Sequence, residues 1–129
     1  MALHDGSVVS SHFPYLPISL HLTRAGQREI VADFDALVDT GFDGDIILPE
    51  NLLGIRRSPD AYLTWTLADG SEVESPAYTG YLLVPGLGTQ PMPMDVIVSI
   101  LGDEPIIGRG VTDRMSVTFD HGQRVIASP

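Results

Sequence analysis

One stretch of this chain, residues 36–49, constrains everything around it. Ala36-Leu37-Val38 delivers a carboxylate, Asp39, into the turn Thr40-Gly41-Phe42-Asp43-Gly44-Asp45, and Ile46-Ile47-Leu48 leads away before Pro49. Short apolar runs bounded by turn-forming residues read as buried strands. A strand that ends on Asp-Thr-Gly holds its acid at a sheet edge, where backbone and water both reach it. Gly41 permits a sharp turn and a close approach by another backbone. Thr40 is β-branched, so its hydroxyl has few rotamers and can be aimed.

A second stretch belongs with the first. Pro105-Ile106-Ile107-Gly108-Arg109 leads into Gly110-Val111-Thr112-Asp113-Arg114-Met115, which reads as a short helix. Asp-Thr-Gly, a glycine-containing hairpin, Ile-Ile-Gly-Arg and a final strand pair follow one another across residues 17–126. That order resembles the retropepsin-like aspartic proteases, the single-domain retroviral type and its small bacterial relatives. The resemblance implies an all-β, closed β-barrel domain with one short C-terminal helix, hydrolysing peptide bonds with two carboxylates that share a water. This chain has one Asp-Thr-Gly and no Asp-Ser-Gly. The second Asp39 would therefore come from a symmetry-related copy, which a two-fold homodimer supplies.

The same resemblance implies roles for individual residues. Asp39 would be catalytic acid and base, Thr40 would reach across to the partner's loop, and the Gly41 carbonyl would bind substrate backbone beside Phe42 and Asp43. The hairpin around Asp69 and Gly70 would close over a peptide as a flap. Trp65 or Tyr62 would wall the cleft, with core packing the alternative for Trp65. Asp43 and Arg109 stand where the family pairs an acid with an arginine beside the dimer interface. Phe42 stands where the best-known enzymes carry Ala or Ser. No cofactor and no metal is implied.

The rest of the chain suits such a fold. At 129 residues it has the length of one domain, read as a flexible arm over residues 1–13 and a single domain over 14–129. Residues 18–23 alternate apolar and polar as a half-buried strand does. Glu29 to Val38 reads as a long strand and Glu50 to Gly54 as one helical turn. Ala61 to Val84 reads as a hairpin with Leu63, Trp65 and Leu67 on one face and a type I′ turn at Asp69-Gly70. Met94 to Leu101 reads as a buried strand, and Ser116 to Ala127 as a closing pair around His121-Gly122.

Charge and composition exclude several partners. A net charge of −10 with no lysine argues against nucleic acid and anionic membranes. No apolar run approaches about 18 residues, and residues 1–9 lack the pattern of a secretory signal, so a cytoplasmic protein is expected. With no cysteine, disulfides and thiolate metal sites are excluded. The histidines at 4, 12, 21 and 121 show no metal-ligand spacing and are expected at the surface.

Two other readings compete. Taking Asp39 as the first residue of a calcium loop puts Asp43, Gly44, Ile46 and Glu50 at appropriate places. Gly41 and Ile47 then fall where oxygen ligands are needed, and the entering segment is strand-like. The other competitor keeps the fold as a non-catalytic dimeric binding module. Asp60, Asp69, Glu72 and Glu74 along the hairpin read as a solvated face, or as a selector of basic substrates.

Overall fold

Alternation in Tyr15–Leu22 sets the sheet in place. Leu16, Ile18, Leu20 and Leu22 all point inward and are fully buried, while Pro17, Ser19 and His21 point out. Burying each such aliphatic side chain is worth about 1.5–3 kcal/mol, so a slip of one residue in register would forfeit the whole row. In the computed structural model, which describes residues 5–55 and 57–129, this strand is β2 of a molecule built almost entirely of strands. The others are β1 (Val8–Ser10), β3 (Ile30–Val38), β4 (Ile46–Leu48), β5 (Ala61–Thr66), β6 (Glu72–Leu83), β7 (Met94–Ile100), β8 (Ile106–Ile107), β9 (Ser116–Asp120) and β10 (Arg124–Ser128). One helical turn, α1 (Arg109–Thr112), follows β8.

The strands form two sheets. Seven are ordered β2-β3-β8-β4-β7-β6-β5, and Ser19–Leu22 of β2 pair a second time, with Gly80–Leu83 of β6. The other three are ordered β1-β10-β9. Both sheets feed one core, in which Val125 and Ala127 of β10 join Val38, Ile46, Val98, Ile107 and Val111.

The arrangement around residues 36–49 follows from that core. β3 is half-exposed along most of its length and becomes buried at Ala36 and Val38, just before Asp39. β4 does not pair with β3. Between them runs β8, parallel to β3 (Val38 opposite Ile107) and antiparallel to β4 (Ile46 opposite Ile107). Ile107 is fully buried there, so two residues of strand lock both arms of the loop.

Several expectations are corrected. Val8–Ser10, within the stretch expected to be a loose arm, pair with Val125–Ala127; residues 1–4 of that arm, including His4, lie outside the described residues. Glu50 to Gly54 form a turn rather than a helix, closed by a bond from the Leu52 amide to the Pro49 carbonyl at 3.2 Å. The helix expected from residue 110 to 115 is the single turn Arg109–Thr112. The hairpin tip is not type I′, which needs positive φ at both central residues. Only Gly70 has it (φ 86°). The Gly70 amide bonds the Leu67 carbonyl at 2.9 Å and the Leu67 amide bonds the Ser71 carbonyl at 2.7 Å, which makes a three-residue loop with the glycine in the left-handed position.

Candidate active site

The loop from Asp39 to Asp45 is held by main chain. The Asp39 amide bonds the Ile107 carbonyl at 3.0 Å, which fixes the acid at the end of β3. Its own Oδ1 accepts the Gly41 amide at 2.9 Å, and its carbonyl accepts the Phe42 amide at 3.3 Å. On the other side, the amides of Gly108, Arg109 and Gly110 bond the carbonyls of Asp45 (3.0 Å), Phe42 (2.8 Å) and Gly44 (3.0 Å). These amides open α1 and have no partner within the helix; the loop supplies partners for all three. Gly108 must be a glycine for this to happen. A Cβ there would strike the Gly44 and Phe42 carbonyls and the Phe42 ring.

Asp39 is thus partly exposed while Thr40 and Gly41 are exposed, on a loop whose backbone is fixed from behind. Phe42 turns its ring toward the hairpin, where it meets Trp65 edge-on, centroids 5.2 Å apart and planes at 61°. Trp65 therefore comes from β5 to the side of the loop, and its Nε1 is buried with no hydrogen-bond partner among the described residues. Tyr62 is exposed. Asp69 and Gly70 lie at the hairpin tip, where Asp69 Oδ1 accepts the Ser71 amide at 2.9 Å and its hydroxyl at 2.5 Å. Those bonds, the hydroxyl first, hold the Asp69 carboxyl below the usual range.

The expected Asp43–Arg109 pair is not among the ion pairs of the described residues, and both residues are exposed. Asp45, two residues further on, does the bridging instead. Its Oδ2 accepts the Ile97 amide of β7 at 2.8 Å and its Oδ1 lies 3.9 Å from Arg114, whose Nη1 donates to the Asp95 carbonyl at 2.6 Å. The only sequence signal for Asp45 was its place directly before a buried apolar run, and nothing local marks Arg114.

The hairpin acids are not simply a solvated face. Asp60 Oδ2 accepts the Thr79 amide at 2.9 Å and its Oδ1 pairs with Arg24 at 2.8 Å. The Thr79 bond chiefly, then the Arg24 charge, keeps its carboxyl below the usual range against the opposing effect of burial. Glu72 and Glu74 stay exposed opposite Thr66 and Thr64. Of the described histidines, His12 and His121 are exposed, but His21 has only 18 % of its side chain accessible.

The calcium-loop reading fits the geometry poorly. Strands β3 and β4 flank the loop where helices are needed, and Ile46 and Ile47 belong to β4. Among the described residues, no three His, Asp or Glu side chains are placed to hold a metal ion. No described helix is long and apolar enough to cross a membrane. The sequence matches no family model, and no curated protein matches it significantly.

Proposed function

We propose that the chain is a retropepsin-like aspartic endopeptidase working as a homodimer, with Asp39 of each copy forming the catalytic dyad. One observation carries this reading: β8 runs between β3 and β4, and the three amides after it hold the carbonyls of the Asp-Thr-Gly loop. A carboxylate on a loop fixed by backbone and open on its other side is suited to meeting a second copy of itself. The double pairing of β2, to β3 and to β6, supports reading the larger sheet as a closed barrel. In the dimer, two carboxylates side by side share one proton. The ionised one removes a proton from the shared water, which attacks the peptide carbonyl, while the protonated one hydrogen-bonds the developing oxyanion.

The second reading, a dimeric peptide-binding module without turnover, is favoured by the Phe42–Trp65 contact, which sets a bulky aromatic pair on the Asp-Thr-Gly loop where the best-known enzymes carry Ala or Ser. Incubation with a peptide library, with and without a statine-type inhibitor, separates the two. Cleavage that the inhibitor blocks and Asp39→Asn abolishes, with dimerisation retained, is the expected result. Wild-type cleavage by Asp39→Asn overturns the protease reading; a well-folded dimer that binds peptides without cutting them selects the module.

A further inference from the structure

The outer face of β2 carries a hydrogen-bonded series that the Asp39 reading does not use. Ser19 and His21 lie two residues apart, so their side chains emerge together on the face opposite the buried leucines. Ser19 Oγ is 3.2 Å from His21 Nε2, and His21 Nδ1 is 2.7 Å from Glu29 Oε1. Tyr81, the cross-strand partner of His21 on β6, stacks on the imidazole with centroids 4.5 Å apart and planes at 7°. Its hydroxyl donates to the same Glu29 oxygen at 3.2 Å. The ring is therefore clamped by a face and an edge.

An ionised carboxylate only accepts, so the neutral ring carries its hydrogen on Nδ1 and turns the Nε2 lone pair to the Ser19 hydroxyl. That is the hydroxyl, base and acid order by which serine is activated as a nucleophile. Ser19 also lines a cavity of about 410 Å³ with Leu83, Val84, Leu87 and Pro91, and with Asp33, its cross-strand neighbour on β3. No residue of the Asp39 loop lines this cavity.

We propose that Ser19, His21 and Glu29 form a second, hydrolytic site for esters with a short apolar acyl group, seated among Leu83, Val84, Leu87 and Pro91. Asp33 at the wall disfavours anionic substrates and suits a neutral or cationic alcohol portion. Ser19 Oγ bonds to the ester carbonyl carbon as its proton passes to His21 Nε2, and Glu29 steadies the imidazolium. Collapse breaks the carbon–oxygen bond to the alcohol, which leaves with that proton. Water then attacks the acyl-serine, giving a proton to His21, and the acid departs as the proton returns to Ser19.

The test uses the intact chain with p-nitrophenyl butyrate and, separately, a fluorophosphonate followed by peptide mapping. The expected result is one adduct on Ser19 and ester hydrolysis unaffected by a statine-type inhibitor. Hydrolysis should fall about 100-fold or more in Ser19→Ala and in His21→Gln, and less in Glu29→Gln, which keeps the shape but not the charge. Hydrolysis that persists in Ser19→Ala, or an adduct that maps elsewhere, overturns the proposal. Should Ser19→Ala fold poorly, the adduct map on the native chain decides alone: no label on Ser19 refutes the site.

Discussion

The Asp39 loop and the β5–β6 hairpin meet through Phe42 and Trp65, yet they are held by different chemistry. The loop is held by main chain: amides of Gly108, Arg109 and Gly110 reach carbonyls of Asp45, Phe42 and Gly44. The hairpin adds carboxylate bonds to its backbone ladder, with Asp60 bonded to Thr79 and Arg24 at its base and Asp69 bonded to Ser71 at its tip. A loop fixed chiefly through backbone is most sensitive to how closely the chains approach. A hairpin whose two ends are secured by carboxylates is sensitive there to loss of those groups or of their charge.

The sharpest way to break this contrast is Gly108→Ala. The new methyl meets two backbone carbonyls that cannot swing aside, so urea unfolding should show a loss of about 3 kcal/mol. A loss near zero would mean that the close approach is not real. Asp45→Ala comes next. It removes the acceptor for the Ile97 amide and should cost about 1–2 kcal/mol, a test of whether the loop needs any side chain at all. Gly44→Ala should cost less than Gly108→Ala, because its methyl meets the Phe42 and Trp65 rings, whose far ends can move. Trp65 is the only tryptophan, so its fluorescence should shift in Gly44→Ala if the ring contact is displaced; an unchanged spectrum would refute that contact.

The smallest effect concerns acid. Asp60 and Asp69 have carboxyls lowered in the folded chain, so their contribution is present above the ordinary carboxylate range and is lost as pH falls through their folded values. As pH falls below the ordinary carboxylate range of about 4, hydrogen-exchange protection factors should fall at the Thr79 and Ser71 amides. The amides of Gly108 and Gly110, bonded to carbonyls that do not titrate, should keep their protection in the same window. Equal loss of protection at all four would erase the distinction between the two regions.

The same distinction explains what could be read from the residues. Asp39-Thr40-Gly41 between two apolar runs marked β3, the loop and β4, because local pattern alone demanded them. Ile106-Ile107-Gly108 marked β8 only through the resemblance to the retropepsin-like order of motifs, since a strand of two residues has no local signal of its own. Trp65 reached the loop side, as one of its two expected places allowed. The pairing of Val8–Ser10 with β10 was invisible, because a run of two valines is too short to signal a strand and its partner lies more than a hundred residues away. The second pairing of β2 with β6 depends on closure of the sheet rather than on either strand. Asp43 and Arg109 have the right types at suggestive places, but Asp45 faces β7, and backbone direction, which the residue types do not encode, decided between the two acids.

The placement of β8 also sets an order of events during synthesis. The loop at residues 39–45 leaves the ribosome early, but the strand that separates its arms and the amides that cap its carbonyls lie at residues 106–110. Until those residues emerge, Asp39 sits on a chain with no fixed geometry, and closing so long a loop is slow compared with forming a hairpin. A nascent chain therefore carries Asp39 on an unassembled loop until residues 106–110 have emerged.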